Sequence, residues 1–275
     1  MSELVRLDRR GHVLEITIDR PPVNGITNEI SLALHAALET LQDDNDLRVG
    51  IITGTGDRKF SAGWDLKEVA KATDSLEVAA DSLETPGGFA GICENWTLKK
   101  PLIAAVNGHA VGGGLEITIA CDIILAADHA AFFLPEMQRG FLPDADALQH
   151  LGRLIPLNVA VEMMLTGRHM SAQEAQGWGL VHDVVPAADL MDRARQMADQ
   201  IATGAPLTLQ ALKEVLHPML SVPLPVAFAM TRRAITTKTP GSGPFPIYER
   251  MLASDDFMEG ARAISEKRVP DFKGS

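Results

Sequence analysis

Between Ala104 and Ile123 the chain reads AAVNGHAVGGGLEITIACDI. An apolar run gives way to a glycine cluster, and then to a second apolar run with a glutamate inside it. Glycine is a poor helix former, yet Gly112, Gly113 and Gly114 stand directly before a helical pattern. A carboxylate among Leu115, Ile117 and Ile119 is expensive to desolvate. Two such costs at one spot suggest a site. The run PLIAAV, residues 101–106, reads as a strand that ends at Asn107-Gly108. Glycines after it let the backbone approach a ligand closely. A helix that begins there has first-turn N–H groups with no intrahelical partner, and its positive end suits a developing negative charge. The glycines alone also read as a tight strand-to-helix turn, and Glu116 alone as a carboxylate that steadies a helix end. The G-x-G-x-x-G spacing of a dinucleotide site is missing.

The surrounding chain sets the fold class. LVRLDR and HVLEITID are short strand patterns separated by the turn at Arg10-Gly11, and Pro21-Pro22 ends the second. TNEISLALHAALETLQDD places Ile30, Leu34, Leu38 and Leu41 on one helix face, with Thr27 or Asn28 as the N-cap. RVGIIT and DIILAAD are further buried-strand runs. Strands alternating with helices predict an α/β fold. From about residue 187 the patterns are helical with no strand between them. At 275 residues the chain is near the upper limit for a single core. The expected division is a core over 1–200 that carries the site and a helical C-terminal lobe over 201–275. PGSGPFP, residues 240–246, reads as a flexible break.

Composition narrows the function. A net charge of −11 argues against a general nucleic-acid binder, and an anionic ligand would need a local cationic patch, for which the tail SEKRVPDFKGS is the candidate. No apolar run is long enough to span a bilayer. The N-terminus is charged throughout and lacks an apolar signal core. Two cysteines, Cys93 and Cys121, make no disulfide framework. A cytoplasmic protein is expected, with no membrane partner.

Two more stretches carry chemistry. In FSAGWDL, residues 60–66, small residues precede a helix start with Asp65 as its cap. In AFFLPEMQRGFLPDADALQHLGRLIP, residues 131–156, Glu136 follows Pro135 at the end of an apolar run, and Pro143-Asp144 introduces a helix over 145–153 that Asp146 could cap. Each stretch alone has a plain reading as a loop, a cap or surface punctuation. Together, in this order and spacing, they resemble the crotonase, or enoyl-CoA hydratase/isomerase, superfamily. FSAGWDL resembles its first oxyanion segment, and PLIAAVNGHAVGGGLEITIACDI its second. FFLPEMQRGFLPD resembles its P-E-x-x-x-G-x-x-P segment, and TGRHMSAQEAQGWGLVHDVVP and EKRVPDFKG also fit.

The resemblance implies a crotonase-like spiral of ββα units with a helical C-terminal lobe that serves oligomer contacts and coenzyme A binding. It implies trimers that pair into hexamers. It also implies an acyl-CoA thioester as substrate, with no metal or other cofactor. By motif position, the backbone N–H groups of Trp64 and Gly113 form the oxyanion hole. Glu116 activates water and Glu136 supplies the C2 proton, each a general acid–base role contributing roughly 10²–10⁴-fold. Two nearby carboxylates titrate as a pair. Ala62, Asp65 and Leu66 would contact coenzyme A, and Lys267 and Lys273 its phosphates, in some members across a subunit contact. Lys267, Arg268 and Lys273 also read as an ordinary solvated charge run.

Within the family, the tryptophan of FSAGWDLK and the run PGGFAG at 86–91 resemble the branch that interconverts crotonobetainyl-CoA and carnitinyl-CoA. One departure stands out. Where the family commonly has a Gly-Gly pair, this chain has Asp146-Ala147. Asp144 and Asp146 would then line the acyl pocket and favour a cationic acyl end, with Trp64, Phe89 and Trp96 as aromatic partners. Two alternatives are another enolate reaction (isomerisation, or dehalogenation using Asp144) and a non-catalytic acyl-CoA-binding homologue. His109, His129 and His150 lack metal-ligand spacing and read as structural. Cys121 reads as a small core residue in an apolar helix, Met163-Met164 as helix core, and Asp122 as a cap or ion-pair partner.

Overall fold

The computed structural model describes residues 4–70, 85–237 and 239–275, without the side chains of 68 and 69. Strand β1 (Val5–Arg10) turns at Gly11 into β2 (Val13–Ile18), and the two pair antiparallel, as the Arg10-Gly11 turn predicts. Helix α1 (Asn28–Asp43) follows, with the Thr27 hydroxyl accepting from the Ile30 N–H at 3.3 Å, so Thr27 rather than Asn28 is the cap. Ile30, Leu34, Leu38 and Leu41 are all buried.

The chain then repeats one unit. Strand β3 (Val49–Gly54) joins the main sheet, β4 (Lys59–Ser61) joins a second sheet, and α2 (Leu66–Val69) begins. The same order recurs in β5 (Leu102–Val106), β6 (His109–Val111) and α3 (Gly113–Ile119). It starts again in β7 (Ile123–Ala127) and β8 (Ala131–Phe133). After α4 (Leu157–Thr166), β9 (Met170–Ser171) pairs with β8, and β10 (Asp183–Val185) closes the main sheet. The main sheet runs β1-β2-β3-β5-β7-β10, parallel from β2 onward, and the second runs β4-β6-β8-β9. This is the α/β spiral of ββα units that the motifs imply. The main sheet is apolar on both faces, as parallel sheets require. α1 packs against β1 and β2, and α5 (Leu190–Ala202) packs against β2, β3, β5 and β7.

Two hydrophobic clusters divide the described chain. The large one extends from Val5 to Ala202. A small one joins Ala211, Ile247 and Met251 in α6 (Pro206–Met219) and α8 (Pro246–Leu252). Helix α7 (Leu224–Ile235) lies between them in sequence, and α9 (Asp255–Glu266) follows. The loop at 240–246 is pinned: Glu249 Oε2 accepts from the N–H groups of Gly241 at 3.0 Å and Gly243 at 2.8 Å. Asp122 pairs with Lys213 at 2.8 Å and accepts from the Leu102 N–H. Cys121 lies just past the end of α3 rather than inside it, with its thiol against the Ile117 carbonyl.

Candidate active site

The site forms past the C-terminal ends of the main-sheet strands, where β4 and β6 lie side by side. Asn24 fixes the first loop by donating from Nδ2 to the carbonyls of Thr55, Lys59 and Phe60. The loop amides are then used in turn. Ala62 N–H donates to Val23 at 2.9 Å, Gly63 N–H to Ser61 Oγ at 3.1 Å, and Asp65 N–H to Ile26 at 2.9 Å. Among the described residues the Trp64 N–H has no acceptor. Asp65 is doubly engaged: it pairs with Arg20 at 2.6 Å and accepts from the Lys67 N–H at 3.0 Å, capping α2. The Arg20 bond is the main reason its carboxyl is held below the usual carboxylate range.

The second loop sits against the first. A Cβ on Gly63 would lie 2.7 Å from the Gly113 nitrogen, so the two segments meet at backbone distance. Each glycine of the cluster faces a different neighbour. A side chain on Gly112 would overlap Glu136 Oε1, one on Gly113 the Phe89 ring, and one on Gly114 the Ser61 carbonyl. Gly112 also has φ +55°, which disfavours other residues. Its N–H donates to the Phe133 carbonyl at 2.9 Å, whereas the Gly113 N–H, at the start of α3, has no acceptor among the described residues. Two free amides, of Trp64 and Gly113, thus lie on adjoining loops.

Glu116 is 3% exposed. Its Oε1 accepts from the N–H groups of Asp146 at 2.9 Å and Ala147 at 3.0 Å. Burial pushes its carboxyl up to about 7, against those two bonds, and the Glu136 charge adds to the rise. Glu136 begins the 3₁₀ turn Met137–Arg139. Burial raises its carboxyl too, Asp144 adds to the rise, and its buried Oε2 has no hydrogen-bond partner. A buried, unpartnered carboxyl oxygen is costly unless a ligand or water meets it.

The departure at Asp146-Ala147 acts through the main chain. The amides are what Glu116 uses, and amides do not require glycine. The helix expected over 145–153 also differs. Residues Ala147–Leu151 form a π-helix, with Leu148 N–H donating to Pro143 at 2.9 Å, before the turn Gly152–Leu154. Such turns concentrate at functional sites. The Asp146 side chain makes no capping bond; it faces His150 at 3.6 Å. Asp144 is exposed, and its carbonyl accepts from Gln149 at 2.9 Å. The sequence reading missed Phe89 over Gly113 and the two amides that hold Glu116. The spacing from Pro143 to residues 146–147 was the available signal for those amides.

Not every expected residue comes to the site. Ala62, Asp65 and Leu66 flank the first free amide. Lys267 and Lys273 do not approach it within one chain. The tail is tied to the opposite end of the sheet, where Arg48, just before β3, donates to the Phe272 carbonyl at 2.8 Å. Asp256 accepts the N–H groups of Lys273 at 2.8 Å and Gly274 at 2.7 Å. The six residues of β3 separate that end from the site by about 20 Å. Arg268 is committed to Glu259 and Glu266. Trp96, considered above as an aromatic partner, is 74% exposed. His129 bonds the Asp57 carbonyl and His109 packs edge-on to Phe133.

The chain is similar to known proteins along almost its whole length. Residues 8–275 match the family described as enoyl-CoA hydratase/isomerase. The chain is 44% identical, over 274 residues and the full length of both proteins, to the carnitinyl-CoA dehydratases of Salmonella agona and Salmonella typhi. Its fold is similar to the crystal structure of enoyl-CoA hydratase from Mycobacterium tuberculosis, with a TM-score of 0.86 and 32% identity over 100% of both chains. It is likewise similar to enoyl-CoA hydratase from Bacillus anthracis, with a TM-score of 0.87 and 32% identity over 99% of this chain and 100% of that one.

Proposed function

The chain belongs to the enoyl-CoA hydratase/isomerase family, and from that premise we propose that it is a lyase interconverting a 2-enoyl-CoA and a 3-hydroxyacyl-CoA, with crotonobetainyl-CoA and carnitinyl-CoA as the pair. The observation that carries this reading is the coincidence of the buried Glu116 carboxyl and the half-buried Glu136, whose Oε2 is buried without a partner, with two free amides. The thioester oxygen accepts from Trp64 and Gly113. As the C2 proton leaves, that oxygen gains the enolate charge, and amides fixed in advance stabilise it without reorganising.

In the dehydration direction, the Glu136 carboxylate takes the C2 proton. The C3–O bond then breaks, and the departing hydroxyl takes the Glu116 proton and leaves as water. Hydration reverses each step: Glu116 removes a proton from water as the oxygen bonds C3, and Glu136 returns one to C2. The pair thus holds one proton in either direction, which suits carboxyls raised toward neutrality. The reaction adds or removes only water, so the thioester is substrate and the chemistry calls for no redox cofactor. A scaffold role gives no reason to bury Glu136 Oε2 without a partner.

A homotrimer or homohexamer fits the surface. Leu157, Val161 and Leu165 are exposed along one face of α4, and Leu212, Leu216 and Leu220 along α6. A stripe of this kind on a monomer marks an interaction surface. In such an assembly, Lys267 and Lys273 would serve a neighbouring protomer's coenzyme A.

The test is incubation with crotonyl-CoA and crotonobetainyl-CoA, following loss of the conjugated thioester absorbance. The expected result is hydration of crotonobetainyl-CoA by the wild type. Glu136→Gln is expected to lose roughly 10²–10⁴-fold in kcat while still binding coenzyme A. Binding without turnover of either thioester would replace the lyase reading with the scaffold one.

A further inference from the structure

A trimethylammonium group carries a charge but has no N–H to donate. A protein recognises such a head with aromatic faces and a nearby anion. In crotonobetainyl-CoA this head lies four bonds beyond the thioester carbon, so its site has to adjoin the oxyanion amides. Trp64 supplies one of those amides, and its ring therefore projects from that point. The Trp64 ring contacts the Phe141 ring at 6.3 Å between centroids and 59° between planes, so the two rings form one continuous aromatic surface. Phe141 belongs to the segment of the second glutamate: its N–H donates to the Glu136 carbonyl at 3.1 Å. The aromatic pair thus bridges the segments that carry the first oxyanion donor and the C2 acid.

An anion stands close by. Asp144 is exposed three residues beyond Phe141, and its carboxylate enters no ion pair among the described residues. It is near enough to Glu136 for its charge to raise that carboxyl. Phe89 also lines a pocket with Trp64, whereas the other candidate anion is engaged. The Asp146 carboxylate faces His150, and the Phe89 ring lies against Gly113.

Given the crotonobetainyl-CoA reading above, the geometry points to Trp64, Phe141 and Asp144 as the cradle of the substrate's trimethylammonium head. Trp64 then has two functions. Its amide serves the thioester whatever the side chain, and its indole selects the acyl end. Phe141 and Asp144 act on selection, and the ratio to the neutral thioester cancels whatever effect the Asp144 charge has through Glu136.

The experiment compares kcat/KM for crotonobetainyl-CoA with that for 5,5-dimethylhex-2-enoyl-CoA, the neutral isostere with carbon in place of nitrogen. The neutral thioester, measured in every variant, is the reference. The wild type is expected to favour the charged substrate. Phe141→Leu and Asp144→Asn are each expected to lower the charged-to-neutral ratio by about three- to thirtyfold. Phe141→Tyr keeps the aromatic face and is expected to keep the ratio. A ratio unchanged in both Phe141→Leu and Asp144→Asn overturns the cradle and leaves the substrate reading standing, and so does a Phe141→Tyr ratio as low as that of Phe141→Leu. A wild type that hydrates the neutral thioester and not the charged one overturns the substrate reading, and the cradle with it.

Discussion

The two ends of the main sheet treat polar groups in opposite ways. At the C-terminal ends of the strands polar groups are buried, and their partners are main chain. Glu116 is held by two amides, the Trp64 and Gly113 amides are free, and Glu136 presents an unpartnered oxygen. At the other end, charged side chains meet one another or tie down the tail. Lys213 pairs with Asp122, Arg268 with Glu259, and Arg48 holds the carbonyls of Ala202 and Phe272. The first arrangement costs stability, because carboxyls are desolvated with few donors, and it raises both of them, Glu116 to about 7. The second ties elements together through charges that are already paired or hydrogen-bonded. Charge density in the sequence is therefore a poor guide to where chemistry occurs in this chain. The charged tail lies about 20 Å, one β3 length, from the site.

The sharpest way to break this contrast is Gly112→Ala. The new methyl would overlap Glu136 Oε1 at a residue whose φ of +55° already disfavours a side chain. Displacing a catalytic carboxylate by about 1 Å is expected to lower kcat by about 10²-fold. Coenzyme A affinity should hold, since the change lies at the acid and not on the thioester oxygen. Steady-state kinetics with coenzyme A as product inhibitor measure both. An unaffected kcat would show that Glu136 does its work elsewhere.

A smaller effect is expected at the other end. Arg48→Met removes two bonds to carbonyls that join the tail and α5 to β3. The expected cost is roughly 1–3 kcal/mol in denaturant unfolding, with kcat little changed. A loss of kcat comparable with that of Gly112→Ala would erase the distinction between the two ends.

Much of the upper end was legible because it rests on long patterns or fixed motifs. The strand runs around Ile51 and Ile103, the face of α1 and the Thr27 cap all follow from periodicity and capping chemistry. The glycine cluster and Glu116 announced their cost directly. The second sheet was hidden, since strands as short as Phe132 and its two neighbours carry no usable period. The π-helix was hidden for another reason: it sits where Glu116, thirty residues earlier, takes the Asp146 and Ala147 amides, a contact that no local pattern shows. The Asp146-Ala147 departure drew attention to the side chains, but what Glu116 uses there is the amides, which survive a change of side chain. The tail stayed ambiguous because its charge pattern is equally that of a phosphate site and of a solvated run, and the Arg48 and Asp256 contacts place it away from this chain's own site.

The C-terminal end of the sheet keeps a carboxyl proton near neutral pH. Burial raises Glu116, so the folded protein retains a proton between the ordinary glutamate range and about 7 that the unfolded chain has lost. Stability therefore falls as pH rises through that window. Infrared spectroscopy of the protonated carboxyl band, titrated from pH 5 to pH 9 in the wild type and in Glu116→Gln, observes the proton itself. The account predicts a band in the wild type that persists above pH 6, disappears with a midpoint near 7, and is missing or strongly reduced in Glu116→Gln. A wild type with no protonated carboxyl above pH 6, or a band that Glu116→Gln leaves intact, would contradict it.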